Sequence, residues 1–417
     1  MKPIRLYLLL ACIFGMKVQA QSFQPEEHAT FQTNRTDGRY VSSRAVAHQL
    51  MKEFEPAFSF RPSMQAADFK TWQKHVRLQM ERLMKHPQLQ NLPEPVCIRT
   101  EQRDGYRLEK WEAYPLPACV VPFLVLIPDN LDEKHPSPAV LCIPGWGGTK
   151  EERAGEPQLY APDKPTKESK NAMAYQYVKE GLIAVAVDNP GSGELADLET
   201  EAGSYAYDFQ TFARSLLELG WNYLGYSSYT NQHILNWMKH HPLIRKDRLI
   251  VSGFSFGTEP LMALGNMDES IYAFVYNDFL CRTRERDLVL TMPDEKGRRS
   301  WPNDISHLIP AFLCNFDFPD LVAALAPRPG ICTEGGLDRD LNLVKRAYEL
   351  TGHPENFTFY HYKALQDSTK RKNLMTLPEG LDGETYFKLV NVQPENHYFK
   401  SEYIIPWIKE LLEKDHQ

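Results

Sequence analysis

From Ser137 onward the chain keeps returning to one pattern, a short run of apolar and β-branched residues, a loop, and then an amphipathic stretch. PAVLCIPG is followed by KNAMAYQYVKEG, LIAVAVDNPG by a long helical stretch from Tyr207 to His240, and RLIVSGFS by TEPLMALGN. YAFVYNDF, FPDLVAALAP, GICTEGG, LNLVKRAYEL, FTFYHYK and SEYIIPWIKELLEK continue it to the C-terminus. Short apolar strands alternating with helices build a mainly parallel sheet covered on both faces, because strands buried on both sides cannot alternate with polar residues. Functional groups of such sheets gather beyond the carboxyl ends of the strands.

Upstream the pattern differs. SSRAVAHQLMKEF and DFKTWQKHVRLQMERLMKH carry apolar residues at helical spacing, and CIRTEQRDGYRLEKWEAYP with CVVPFLVLIPD reads as antiparallel strands turning at Asp104-Gly105. The expected organisation is a signal peptide over 1–20, an N-terminal helical extension over 21–95, and a catalytic domain over 96–417. Two polar, proline-rich insertions, near 282–315 and 365–395, follow strands and should lie over the functional edge or form surface loops.

With 42% hydrophobic and 24% charged residues, the chain can bury a sizeable core, and its net charge of −7 with no long basic run argues against nucleic acid as a partner. The start, MKPIRLYLLLACIFGMKVQAQS, has a basic head, an apolar stretch too short to span a membrane and a small-residue site before Gln21. These features predict secretion or export to the periplasm, with cleavage after Ala20. Cys12 offers lipid attachment as an alternative, which the Val18-Gln19-Ala20 site disfavours. Secretion permits disulfides, although Cys142 and Cys332 sit in apolar runs where cysteine is usually a small buried hydrophobe. No CxxC pair suggests zinc.

A serine alcohol attacks only when a base takes its proton and donors hold the oxyanion that forms. The stretch Gly253-Phe254-Ser255-Phe256-Gly257 follows the strand RLIV and precedes the helix EPLMALGN, the context of a nucleophile elbow. His397, ahead of the last helix, is the candidate base; His361 and His353 are read as structural. For the acid, Asp338 in Gly335-Gly336-Leu337-Asp338 is chosen, with Asp340 and Asp278 as further candidates. Pro144-Gly145-Trp146-Gly147-Gly148 supplies a glycine-rich strand end, so the backbone amides of Trp146 and Phe256 would form the oxyanion hole.

These residues, with PGWGGTKE, DNPGSGE, AALAPRP and ENHYF, make the chain from about Pro138 resemble the α/β-hydrolase superfamily. It is similar to secreted acetyl-xylan-esterase-like hydrolases of polysaccharide-degrading gut bacteria and to serine-type pectin methylesterases. The resemblance implies an α/β-hydrolase fold, a Ser255–Asp338–His397 triad, no metal and no cofactor, and a plant cell-wall polysaccharide or oligosaccharide as substrate. Glucuronoyl esterases carry arginine after the nucleophile, where Phe256 stands here. The competing readings are an inactive glycan-binding domain of the same fold and a secreted peptidase, the latter disfavoured by the lack of a β-repeat region. Arg282, Arg284 and Arg286 open the first insertion, and a cluster of planar guanidinium forks would suit a uronate-bearing polymer. That consideration tilts the expected substrate slightly towards methyl esters of pectin over acetyl esters of xylan.

Overall fold

The computed structural model describes residue 33 and residues 35–158, 163–197, 208–290 and 304–414. The expected signal peptide and much of the first insertion lie outside the described residues. The described residues up to Met51 form one compact unit, holding most of a helix over Ser43–Glu53, and the chain from Lys52 forms a second.

The second unit is built on a nine-stranded sheet. In chain order its strands are β1 (Val96–Arg103), β2 (Tyr106–Leu116), β3 (Cys119–Pro128), β4 (Ser137–Ile143), β5 (Ile183–Val187), β6 (Ile244–Phe254), β7 (Ala273–Asn277), β8 (Gly330–Cys332) and β9 (Phe357–Phe359). They lie in the order β1-β2-β3-β5-β4-β6-β7-β8-β9. The first three pair antiparallel, β3 runs antiparallel to β5, and every pairing from β5 to β9 is parallel. The turn between β1 and β2 is Asp104-Gly105, where Gly105 takes φ +82°, a conformation that costs glycine little.

Side-chain alternation in the central strands supplies two cores. On β4, Ala139, Leu141 and Ile143 join one hydrophobic cluster while Val140 and Cys142 join another. The first is covered by residues such as Ile234, Leu261 and Leu341 from the helices Tyr223–His240, Thr258–Met267 and Asp338–Leu350. Met173, Tyr177, Ile404 and Ile408, from the helices Met173–Lys179 and Ser401–Glu413, cover the second. This is the expected α/β-hydrolase layering, with antiparallel strands at the start. The helix Ala66–Met84 also enters the first core, burying Phe69, Trp72, Val76, Met80 and Met84.

The helical stretch expected from Tyr207 to His240 is two helices, Phe209–Glu218 and Tyr223–His240. Gly220 takes φ +73° between them, and Asn222 caps the second helix by accepting from the Gly225 amide. No helix among the described residues is long and apolar enough to cross a membrane.

Candidate active site

The end of β6 fixes Ser255 from both sides. Phe254 packs into one core and Phe256 into the other, so the residue between them is held at the tip of the sheet. Ser255 begins a tight turn, Ser255–Gly257, and has φ +53°, in the left-handed region that a side-chain-bearing residue rarely occupies. A Cβ on Gly253 would collide with the Gly257 carbonyl, and one on Gly257 with the Ile143 carbonyl, so both flanking glycines are steric requirements. The Thr258 hydroxyl closes the turn by donating to the Ser255 carbonyl at 2.7 Å.

His397 follows the short turn Pro394–Asn396, ahead of the last helix. Its ring stacks on that of Phe254, the neighbour of Ser255, with centroids 4.8 Å apart. Its Nδ1 lies 2.6 Å from Oε2 of Glu334, a fully buried residue two positions beyond β8. The same Glu334 oxygen accepts from the Tyr362 hydroxyl at 2.7 Å, and the other accepts from Asn277 Nδ2 at 3.0 Å. Burial alone would push the His397 pKa down. The hydrogen bond to Glu334 and the nearby charge of Asp278 outweigh it and hold the pKa above its ordinary value.

Asp338 stands elsewhere. It opens the helix Asp338–Leu350, and its carboxylate is held by His361 Nε2 at 3.1 Å and by Arg371 Nη2 at 3.1 Å. The structure therefore replaces Asp338 with Glu334 as the carboxylate on His397. Its physical reason is the length of β8: the strand stops at Cys332, so the residue that leaves the sheet edge towards His397 is Glu334, not one beyond the Gly335-Gly336 turn. The sequence signal was the acidic residue in TEGG, which the reading of a longer strand absorbed. Asp340 is also engaged away from the site, accepting from Arg282 Nε at 2.8 Å.

Asp278, immediately beyond β7, does reach the site. One ligating atom each from Asp278, Glu334 and His397 lies within 4.8 Å of the others, a spacing that could hold a metal ion. Both Glu334 oxygens and His397 Nδ1 are already committed to hydrogen bonds with one another and with Tyr362 and Asn277, so the geometry is that of an oriented imidazole. Burial raises the Asp278 pKa to about 6.

The glycine-rich stretch after β4 meets the serine closely: a Cβ on Gly145 would lie 3.1 Å from Ser255 Cβ. Asn189, from DNPGSGE, donates to the carbonyls of Pro144 (3.1 Å) and Gly145 (2.8 Å). Farther along, the Lys150 amide donates to Asp188 at 2.7 Å, and its buried ammonium pairs with the same carboxylate at 2.7 Å. Trp146 and Phe256, the expected oxyanion-hole residues, both line a cavity of about 320 Å³ that also takes in Ser255, Asp278 and His397.

Of the three arginines, only Arg286 lines this cavity. Arg282 is drawn to Asp340, and Arg284 donates to the backbone carbonyl of Phe54. The expected basic cluster over the nucleophile is thus not formed, because buried or backbone acceptors take two of its members. All six described cysteines are unpaired, with Cys142, Cys281 and Cys332 buried.

Comparison with known proteins agrees with this architecture. The Abhydrolase family model matches residues 22–410. A crystal structure from Bacteroides fragilis NCTC 9343, provisionally designated an acetyl xylan esterase, is 56% identical, with TM-score 0.87 over 93% of this chain and 100% of that one. Methylesterase BT1017 is 17% identical with TM-score 0.49, covering 77% of this chain and 63% of its own. A glucuronoyl esterase from Solibacter usitatus is 13% identical with TM-score 0.47, covering 72% and 86%. No curated protein matches. The match over 22–410 and the 56% identity to the Bacteroides fragilis protein show that this chain belongs to the Abhydrolase family.

Proposed function

We propose that the protein is a secreted serine esterase that removes acetyl groups from a neutral plant cell-wall polysaccharide, xylan being the leading example. The observation that carries this is His397, which is held by Glu334 at 2.6 Å and lines the same cavity as a serine at φ +53°. In the reaction, His397 Nε2 takes the Ser255 Oγ proton as the oxygen attacks the ester carbonyl. The amides of Trp146 and Phe256 receive the negative oxygen. His397 then returns the proton to the departing sugar oxygen, leaving an acyl-serine, and water repeats the sequence to release acetate. Glu334 holds the imidazole in the tautomer that presents Nε2 and stabilises the imidazolium.

Secretion is supported by the leader-like first 20 residues and by a family match that begins at residue 22. The acetyl reading draws on the designation of the Bacteroides fragilis protein. It draws also on the cavity's charge: Glu259, Asp278 and Asp304 line it with Arg286, an environment unfavourable to the carboxylates of pectin. Acetate release from acetylated xylan, measured beside methanol release from methylated pectin, tests the reading. The xylan rate should exceed the pectin rate, and Ser255→Ala should abolish it; faster methanol release would reverse the substrate assignment.

A further inference from the structure

The second insertion supplies one wall of the cavity. Its helix Gly383–Leu389 carries Tyr386 and Phe387, Val392 follows, and all three line the cavity. Tyr386 and Val392 are buried with Tyr362 in a third hydrophobic cluster, and Phe279 and Phe387 pack against that cluster while remaining only partly buried. The rings of Phe279 and Phe387 meet edge to face, with centroids 5.8 Å apart and planes at 84°. Phe279 and Tyr362 line the cavity as well, so these side chains make one contiguous wall rather than scattered contacts. Two partly exposed rings braced from behind are apolar surface already set in place, which a ligand can cover without ordering it first.

This wall adjoins the base. Phe279 directly follows Asp278, which has a carboxylate oxygen within 4.8 Å of ligating atoms of Glu334 and His397. Tyr362 donates to the same Glu334 oxygen that holds His397, and Val392 shortly precedes His397 in the chain. Phe256, at the expected oxyanion hole, belongs instead to the first core, and its ring meets that of His307 with centroids 4.7 Å apart. The base returns its proton to the departing alcohol oxygen, so the alcohol half of the ester lies on the side of His397. What the wall meets is therefore the alcohol, not the acyl group. An alcohol that covers two aromatic rings needs an apolar face of its own, and the C–H face of a pyranose provides one while its hydroxyls stay at the rim.

We propose that Phe279 and Phe387 form a stacking subsite for the pyranose that carries the ester. The inference rests on the esterase reading and deepens it by naming what selects a sugar as the alcohol. Isothermal titration calorimetry with xylotriose tests it without turnover. The Kd should rise about fivefold or more in Phe279→Leu and in Phe387→Leu, which keep apolar bulk but lose the ring, and should stay within about twofold of wild type in Phe387→Tyr, which keeps it. Thermal melts identify any variant that fails to fold. Saturation-transfer NMR on the wild type decides even then: irradiating the protein's aromatic protons should transfer saturation to the ring C–H protons of xylotriose. No binding of xylotriose by the wild type, no such transfer, wild-type Kd in both folded leucine variants, or an equal rise in Phe387→Tyr and Phe387→Leu would overturn the subsite. So would a loss of kcat/KM in Phe387→Leu that is larger for methyl cinnamate, whose ring is on the acyl side, than for acetylated xylotriose. Turnover of 4-nitrophenyl acetate by the wild type and its loss in Ser255→Ala test the esterase reading separately.

Discussion

Nδ1 of His397 and Oε2 of Glu334 are 2.6 Å apart, and the glutamate is fully buried. A buried carboxylate that also receives a tyrosine hydroxyl and an asparagine amide has little freedom to turn away, so the imidazole it holds is fixed in orientation and tautomer. Asp338, with His361 and Arg371 as its partners, does structural work about the start of its helix.

Glu334→Gln should therefore lower kcat by roughly 10³-fold or more, as expected when a triad acid loses its charge and its control of the tautomer. Asp338→Asn should leave kcat within a few-fold of wild type and instead lower thermal stability. Steady-state kinetics and thermal melts of the two variants decide the matter, and a larger kcat loss in Asp338→Asn would return the acid role to that residue.

The pH profile follows from the same pair. His397 must be neutral to accept the serine proton, and its pKa is raised, so kcat/KM should fall as pH drops through a midpoint above the usual imidazole value of about 6.5. Asp278→Asn removes a negative charge that favours the imidazolium and should move that midpoint to lower pH. A rate that stays flat down to about pH 5, or a midpoint unmoved by Asp278→Asn, would contradict the assignment of charges.

How much of this was legible in the sequence depends on the range of the forces involved. Strand–helix alternation announced the parallel sheet because burial on both faces forces apolar runs such as IAVAV, and the Gly-x-Ser-x-Gly turn announced Ser255 because only glycine fits beside those carbonyls. His397 was placed by chain order. Glu334 was not found because the end of a three-residue strand, β8, is set by pairing with β7 and β9 rather than by its own residues. The arginines misled for a related reason: sequence spacing placed them at the start of an insertion, but their acceptors, Asp340 and the Phe54 carbonyl, come from distant parts of the chain.

Gly257→Ala should be far more damaging than its one methyl suggests. The new Cβ would press against the Ile143 carbonyl, backbone that cannot rotate aside. Overpacking of this kind costs on the order of 1–3 kcal/mol and displaces the turn that aims Ser255. Urea titration should show a lowered midpoint together with activity loss greater than the unfolded fraction explains; a variant with wild-type midpoint and rate would refute the steric argument.

Chelation should have no effect on ester hydrolysis. The atoms of Asp278, Glu334 and His397 are close enough to hold an ion, yet in the proposed mechanism His397 Nδ1 and Glu334 are engaged with each other throughout. Activity lost to EDTA and restored by zinc or calcium would sink the metal-free account.

The most direct measurement is covalent capture of the nucleophile. A fluorophosphonate, which phosphorylates a serine only when a neighbouring base activates it, should add one equivalent to the protein at neutral pH. Peptide mass spectrometry should place the adduct on Ser255, and labelling should be slowed strongly in His397→Ala and Glu334→Gln. An unmodified Ser255, an adduct on another residue, or labelling that proceeds at the wild-type rate in both variants would contradict the Ser255–His397–Glu334 mechanism.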